Sequence, residues 1–450
     1  MILIYTEKLN PRIEYIFQVI FTVILGKQVS FTSKMNKFIT SPSPKINYSY
    51  EKFGAEIYIK PHRLLYCKAL IQPDIQPVWH EGEKYFFESS SDSVFPFDMF
   101  AASFYLLSRY EEYLDGEKDK FKRFPASESI LVKYNLLKKP VVNIWARMLA
   151  DKLKEYFPEL DFPKKTFRFV PTIDIDNAWA YAHKGSFRTA GAVVRALANG
   201  NLQEVRSRMN VWLGRIKDPY DTYGFMDEVF KGHEKDVVFF FLLGNYKRYD
   251  KNISWENKKF RELIRDIGAR YQIGIHPSYS SSKKKNKSLL AAEVKRLHLI
   301  TGKTVNKSRQ HFLRLRFPRV YRNLIKNGIQ EDYTMGYPSH SGFRAGICTP
   351  YPFYDLKNEA ITSLTIMPFQ VMDVTLRVYL KLSPADALKE IEGLMEEVKN
   401  VGGTFSYIWH NETINDVGDW KGYREVFQRM NELGFNWIDA DKKIESFKTA

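Results

Sequence analysis

From Pro163 onwards, short apolar segments with the composition of β-strands alternate with longer segments that have the apolar spacing of helices. Two of the helices are predicted at 257–271 and 384–401. The strands are predicted at 166–174, 236–243, 271–276, 304–311, 329–334, 364–373, 403–410 and 435–440. Alternation of this kind is typical of a parallel sheet, and so many units indicate a closed or nearly closed (β/α) barrel.

The first part of the chain does not share this alternation, and a proline-bounded segment at 157–163 separates it from the rest. We therefore predict a smaller α+β domain over residues 1–165, followed by the barrel over residues 166–450. The elements predicted in the first domain are strands at 2–5, 56–60 and 63–67, and helices at 11–25 and 96–113.

One connection of the predicted barrel is too long for a simple loop. Residues 178–234 contain two segments with helical spacing, at 189–198 and 202–216. We interpret this region as a helical insertion that covers one edge of the functional site.

The charge of the chain is strongly positive and unevenly distributed. Lysine and arginine number 68 against 52 acidic residues, a formal net charge of +16, and no acidic residue lies between Glu293 and Glu331. Such a segment indicates an anionic partner, and the absence of a recognisable nucleic-acid module favours an acidic or phosphorylated sugar or a lipid headgroup. A solvated charged surface explains the segment equally well.

The amino-terminal residues do not have the pattern of a signal peptide, because Glu7 precedes the first basic residue and Gln18 interrupts the apolar stretch. There is no apolar run of about 18 residues, so no transmembrane helix is predicted. The only two cysteines, Cys67 and Cys348, are far apart in sequence. We expect a cytoplasmic protein, with peripheral contact to a membrane as an option.

Several predicted strands end in polar residues that can carry chemistry. The first strand ends at Asp174 and is followed by Asp176, and the later strand ends are His276, His311, Asp332 and His410. Taken singly, each of these residues is explained as well by a turn, a helix cap or a loop hydrogen bond. Together they are significant, because the carboxyl ends of barrel strands carry the active site.

The residue types in this set are suited to metal-assisted acid–base chemistry. Asp174 and Asp176 would repel each other if both were ionised, and a bound cation removes that conflict. Imidazole is a common metal ligand, and a histidine such as His410 can act as a general acid near neutral pH. The strand ends therefore predict a divalent metal site with an acid and a base beside it.

These motifs also resemble a known family. The stretches Thr172-Ile-Asp-Ile-Asp176, Gly274-Ile-His276 and Ile408-Trp-His410, with Arg309 and Asp332 between them, occur in the motif order of NodB-like polysaccharide deacetylases, carbohydrate esterase family four. The resemblance covers about 166–441, and residues 104–112 look like part of the domain that precedes the catalytic domain in some bacterial members. It implies a distorted (β/α) barrel and removal of N-acetyl groups from a sugar or glycan with a divalent metal, commonly zinc.

The resemblance also implies individual roles at the metal. Asp174 matches the catalytic base, and Asp176 and His276 match metal ligands. The family has a second histidine four residues after the first, but Ser280 stands there in this chain. Because a hydroxyl is a poor zinc ligand, our candidate for the third ligand is His311, with Ser280 as the alternative. A third alternative is a site that binds metal weakly or not at all.

The remaining roles concern orientation and substrate. By resemblance, Arg309 orients Asp174, Asp332 holds Arg309, and His410 protonates the leaving amine. A backbone N–H near Tyr279 is expected to hold the oxyanion. Two further side chains are predicted to contact substrate, Arg344 through an anionic group and Trp409 through its ring. A structural pairing of Arg344 with Asp332 or Asp355 is the alternative.

Three functions are compatible with these observations. The first is a metal-dependent deacetylase acting on a bacterial surface glycan or on its lipid- or nucleotide-linked precursor. The second is a hydrolase of another amide or ester on the same barrel, which the presence of Ser280 motivates. The third is a non-catalytic protein that binds anionic glycans, motivated by the net charge and by an aromatic content of 15%.

Overall fold

The computed structural model describes residues 1–283 and 286–449. Its strands fall into a four-stranded sheet, a two-stranded hairpin and a ten-stranded sheet. They are β1 Ile2–Tyr5, β2 Val29–Thr32, β3 Lys45–Asn47, β4 Ile57–Tyr58, β5 Pro77–His80, β6 Glu83–Phe86, β7 Arg168–Val170, β8 Thr172–Ile175, β9 Val238–Phe241, β10 Gln272–Ile275, β11 Lys307–Ser308, β12 Glu331–Asp332, β13 Tyr351–Asp355, β14 Ala360–Ile366, β15 Val371–Met372 and β16 Thr404–His410.

The α-helices lie between these strands and after the last one. They are α1 Pro11–Phe17, α2 Met35–Thr40, α3 Met99–Leu107, α4 Ile130–Lys133, α5 Val141–Tyr156, α6 Ser186–Ala198, α7 Leu202–Trp212, α8 Tyr223–Val229, α9 Lys258–Arg270, α10 Lys287–Thr301, α11 Arg319–Lys326, α12 Pro384–Asn400 and α13 Tyr423–Thr449. No helix of the described residues is both long and apolar enough to cross a bilayer.

The large sheet has the order β13-β14-β12-β11-β10-β9-β8-β16-β15, and β7 pairs with the first half of β16. All of its pairings are parallel except the antiparallel β13–β14 hairpin at one edge. The mixed sheet, with its helices, forms a half-barrel that fits the predicted α/β barrel class.

The curvature of this sheet follows from one short connection. Strands β14 and β15 belong to opposite ends of the parallel run, yet only residues 367–370 join them. A fully extended chain gains at most about 3.6 Å per residue, so these two ends of the run lie close together. The carboxyl ends of the parallel strands consequently surround a common centre.

The amino-terminal segment builds a sheet of its own, with parallel strands in the order β2-β1-β3-β4. Helix α1 continues as a π-helix over Gln18–Ile24, and Phe17 stacks on Phe100 of α3 with ring centroids 3.9 Å apart. Ion pairs link this segment to the later chain, among them the pair of the buried Arg12 with the partly exposed Glu359. The domain boundary at residue 165 stays a prediction.

Most of the predicted barrel strands coincide with observed strands, but three interpretations are wrong. Residues 435–440 belong to helix α13, because Phe427, Met430 and Phe435 recur at helical spacing and pack on one face. Residues 63–67 contain a 3-10 turn rather than a strand. The segment 364–373 is two strands, because Pro368 interrupts it and its two halves pair at opposite ends of the sheet.

The prediction of helices between β8 and β9 agrees with α6, α7 and α8 in that region. The β13–β14 hairpin was not predicted. The strand predicted at 304–311 is much shorter in the structure, because β11 ends at Ser308 and residues 311–313 form a 3-10 turn. This early end of the strand determines how Arg309 and His311 are presented.

Candidate active site

The carboxyl ends of five parallel strands supply the candidate site. Asp174 lies in β8 opposite His410, the last residue of the neighbouring strand β16. His276 directly follows β10, Arg309 directly follows β11, and Asp373 directly follows β15. The side chains come together because the strands are parallel and the sheet is curved, so their ends meet at one edge.

Asp176, His276 and His311 form a group whose ligand atoms all lie within 4.8 Å of one another. Nε2 of His276 lies 3.2 Å from Oδ1 of Asp176, and Nε2 of His311 lies 3.2 Å from Oδ2 of the same carboxylate. Zinc ligands at about 2.1 Å from a tetrahedral ion are about 3.4 Å apart. The separations observed here are therefore close to those of a metal-ligand set.

Contacts on the far side of each imidazole direct both Nε2 atoms towards Asp176. Nδ1–H of His276 donates to the backbone carbonyl of Arg309 at 2.5 Å, and Nδ1–H of His311 donates to Oδ1 of Asp250 at 3.1 Å. Such outer partners fix the tautomer of a metal-binding histidine. In the neutral imidazoles, the two Nε2 lone pairs then face a carboxylate that also carries lone pairs.

The electrostatics of this group favour a positive charge at its centre, which either a proton on His311 or a bound cation would supply. Although burial disfavours the charged form, the two imidazoles hold the pKa of Asp176 well below its usual range. Burial likewise opposes protonation of His311, but Asp176 and Asp250 raise its pKa to about 9. Oδ1 of Asp176 is buried and has no hydrogen-bond partner among the described residues. One carboxylate and two imidazoles are a donor set that suits zinc and similar divalent ions, so the residues fit a metal ion.

Asp174 is held beside this group by a buried arginine. Nη1 of Arg309 donates to Oδ1 of Asp174 at 2.9 Å, while its Nε donates to the carbonyl of Tyr333 at 3.0 Å. Oδ2 of Asp174 makes no hydrogen bond within the described chain and lies 3.7 Å from Nε2 of His276. The carboxylate is therefore oriented through one oxygen, and the other remains available to accept a proton.

His410 is held by a second acidic side chain. Its backbone N–H donates to Oδ2 of Asp373 at 2.8 Å, and its Nδ1 lies 2.9 Å from Oδ1 of the same carboxylate. Burial opposes a charged imidazole, but Asp373 raises the pKa of His410 well above its ordinary value. In this arrangement Nδ1 is engaged and Nε2 is the nitrogen left for proton transfer.

Two adjoining cavities meet at the metal-ligand group. One of about 180 Å³ is lined by Asp174, His276 and His410, and the other, of about 280 Å³, by Arg248 and Lys251. Both are also lined by Asp176, His311 and Phe312. A substrate centred on the metal position could therefore extend in two directions.

Two predicted residues of the 277–280 loop serve a different purpose from the one expected. The hydroxyl of Ser280 donates to Oδ2 of Asp250 at 2.8 Å, so this side chain supports the partner of His311 and lies outside the metal-ligand group. The N–H of Tyr279 donates to Oδ1 of Asp250 at 2.7 Å. That donor is occupied and does not supply the predicted oxyanion contact.

Arg344 and Trp409 do not reach the cavities. Both Nη2 and Nε of Arg344 donate to Glu112, in a buried pair that excludes the predicted contact with an anionic substrate and the alternative pairings with Asp332 or Asp355. Trp409 is 0% exposed and packs against Phe427 with ring centroids 5.5 Å apart. Neighbouring residues of a strand point to opposite faces, so His410 faces the cavity and Trp409 the core.

Asp332 lies near the site but does not hold Arg309 as predicted. Its carboxylate accepts from the hydroxyl of Ser308 at 2.6 Å and from the N–H of Thr334 at 3.1 Å, and within the described residues it forms no ion pair with Arg309. The guanidinium is instead positioned by the carbonyl of Tyr333 and by the face of Phe240, whose centroid is 4.7 Å away.

Two residues that complete the site were missed. Asp373 ended a predicted strand, and this position was a usable signal. Asp250 lies in the connection between β9 and α9, 61 residues from His311. Nothing in the local pattern distinguishes Asp250 from an ordinary loop aspartate.

The matches found among known proteins each cover a part of the chain. Residues 2–158 match a family of unknown function, DUF7033. No curated protein matches the chain. Among solved structures, the fold is similar to that of a Mycobacterium smegmatis protein assigned to the polysaccharide deacetylases, with 14% identity over 60% of this chain and 86% of that one and a TM-score of 0.40.

Two further solved structures match the same share of this chain. A CE4 family pseudoenzyme from Bacillus anthracis has 12% identity over 60% of this chain and 63% of its own, with a TM-score of 0.29. A polysaccharide deacetylase from Bacillus cereus has 11% identity over 60% of this chain and 89% of its own, with a TM-score of 0.28.

Proposed function

We propose that this protein is a metal-dependent hydrolase that removes N-acetyl groups from a sugar or glycan. One observation carries the proposal: a carboxylate and two imidazoles that fit a divalent metal lie in a cavity that also contains an arginine-bound aspartate and an aspartate-bound histidine. Metal ligands, a base and an acid are the groups that metal-assisted amide hydrolysis uses.

The metal-ligand set in this proposal is Asp176, His276 and His311, and zinc is the ion we expect. When bound, such an ion lowers the pKa of water and polarises the acetyl carbonyl. Asp250 and the carbonyl of Arg309 keep the two imidazoles in the tautomer that presents Nε2.

The proton transfers are assigned to Asp174 and His410. Oδ2 of Asp174 accepts a proton from the attacking water, while Arg309 holds Oδ1 and fixes the orientation of the carboxylate. His410 donates a proton to the leaving amine, and Asp373 keeps its imidazole protonated and oriented. Water adds to the acetyl carbon, the C–N bond breaks, and acetate and a free amine are the products.

We further propose that the substrate carries an anionic group outside the acetylated sugar. A groove of about 900 Å³ is lined by eight lysine and arginine side chains, and Gln310 lines both this groove and the 180 Å³ cavity. Its single acidic lining residue, Glu112, is already paired with Arg344. Among the described residues, Lys122, Arg316 and Lys326 have no acidic partner that would neutralise them. A phosphate or carboxylate of the substrate would supply the missing negative charge.

The test is acetate release from a panel of N-acetylated sugars and glycan fragments, with small amides and esters alongside. We expect release from acetylated sugars that a chelator abolishes and zinc restores, and that Asp174→Asn abolishes while the protein stays folded. Release that Asp174→Asn leaves unchanged would contradict the assignment. Chelator-insensitive glycan binding with no acetate release would favour a non-catalytic binder.

A further inference from the structure

The helical segment between β8 and β9 exposes an unusual amount of apolar surface. Of the 21 large apolar side chains exposed in the described residues, seven lie between residues 194 and 216. Trp212 is 79% exposed and Leu202 is 68% exposed. The other five are Val194, Leu197, Met209, Leu213 and Ile216. An exposed apolar patch of this kind on a protein surface indicates an interaction site.

These side chains are arranged in a stripe. Within α7, exposed apolar residues recur at 202, 209 and 212, which are steps of seven and three residues, and Leu213 and Ile216 follow in the turn after the helix. Such steps place side chains on one face of a helix. On α6, which packs against α7, the exposed residues Val194 and Leu197 are likewise three residues apart.

The charged residues of the same segment are almost all basic. Residues 186–217 contain five arginines and one lysine but a single acidic residue, Glu204, which pairs with Arg208 at 2.6 Å. Exposed apolar side chains with interspersed cations are the features of a helix that lies in the interface of an anionic bilayer.

We propose that the α6–α7 hairpin is a membrane-docking surface that binds the headgroup region of an anionic lipid bilayer. The apolar stripe enters the interface, and the exposed Arg195, Arg206 and Arg215 contact lipid phosphates. The positive charge of the segment favours an anionic bilayer over a second copy of the chain as the binding partner, because two copies would bring like charges together. The proposal stands independently of the catalytic function.

The hairpin is attached firmly to the part of the chain that carries the site. Asp218 accepts hydrogen bonds from the backbone N–H groups of Ala180, Tyr181 and Ala182, each at 2.8 Å. The guanidinium of Arg188 donates to the carbonyl of Lys251 at 2.8 Å. Because Lys251 lines the 280 Å³ cavity, docking would hold that cavity close to the bilayer surface.

The experiment is flotation of the full chain with vesicles of phosphatidylcholine alone or containing about 30% phosphatidylglycerol, an anionic fraction chosen so that the surface attracts basic residues. We expect binding to the anionic vesicles that weakens as salt is added. Absence of binding to anionic vesicles at low salt would overturn the proposal.

The decisive variant combines Leu202→Ser with Trp212→Ser, and Trp79→Ser is the matched control because Trp79 is 63% exposed elsewhere on the surface. We expect the double variant to bind about tenfold or more weakly and the control to bind like the wild type. Equal vesicle binding by the double variant would overturn the assignment to the hairpin. A wild-type dimer in sedimentation experiments would also overturn the assignment if the double variant abolished it, since the stripe would then be an interface between copies.

Discussion

Nδ1 of His311 lies 3.1 Å from Oδ1 of Asp250, a residue of the connection between β9 and α9. The same carboxylate accepts hydrogen bonds from the N–H of Tyr279 and the hydroxyl of Ser280. The position that holds a second histidine in the resembled family is therefore used here to orient the partner of a different histidine. The proposed metal-ligand set includes His311 and therefore depends on these contacts of Asp250.

Asp250→Asn is expected to weaken zinc binding without removing a ligand. The substitution keeps the size of the side chain but removes the charge that orients His311, and outer partners of this kind change metal affinity by about 10–100-fold. Competition with a chromogenic chelator measures the affinity. Asp115→Asn, at an exposed loop position, is the control and should bind zinc like the wild type.

Asp373→Asn is expected to change the pH dependence of turnover. Burial alone lowers the pKa of His410, and Asp373 is the group that raises it, so the variant should lose the protonated imidazole at a lower pH. The alkaline limb of kcat/KM then moves to lower pH, and zinc content stays the same. An unchanged alkaline limb would show that His410 is not the proton donor.

The buried carboxyl of Glu293 is expected to make the stability of the folded protein depend on pH. Burial raises the pKa of this carboxyl from 4.5 to about 7, although it accepts hydrogen bonds from the backbone N–H and the hydroxyl of Ser278. The folded state therefore binds the proton more tightly than the unfolded state. The resulting stabilisation is complete below pH 4.5 and is lost as the pH rises through about 7.

Glu293→Gln mimics the neutral carboxyl and should remove this dependence. We expect the Tm of the variant minus that of the wild type to increase between about pH 5 and about pH 8, measured by differential scanning calorimetry. A difference that stays constant over this interval would mean that Glu293 is ionised in the folded protein at both pH values.

Arg316→Gln is expected to affect binding of an anionic substrate and not the chemical step. Arg316 is exposed in the basic groove and does not line the 180 Å³ cavity. KM for a phosphate-bearing substrate should therefore rise, most clearly at low salt, with kcat unchanged. The KM for a neutral acetylated sugar serves as the control, and an equal rise for both substrates would contradict a role in anion binding.

Strand-end positions made much of the site predictable. Asp174, Asp176, His276 and His410 each follow or end an apolar run, and parallel strands bring such ends together regardless of what lies between them. His311 could be proposed on the same ground. The prediction for Trp409 is wrong, because the alternation of side chains along a strand prevents it from facing the cavity together with His410.

The remaining contacts depend on tertiary structure. Arg344 pairs with Glu112, which is 232 residues away, and no local pattern identifies that partner. Asp373 was placed in one long strand with β14, but Pro368 separates the two segments and sends them to opposite ends of the parallel run. Asp250 has no regular element of its own, so its position depends on packing that the sequence pattern does not describe.

The most direct test of the central claim is the zinc content of purified protein after removal of unbound metal. The wild type and Ser280→Ala should each retain about one zinc ion per chain, whereas Asp176→Ala, His276→Ala and His311→Ala should each lose it while remaining folded. A His311→Ala variant that keeps its zinc would contradict the proposed metal-ligand set.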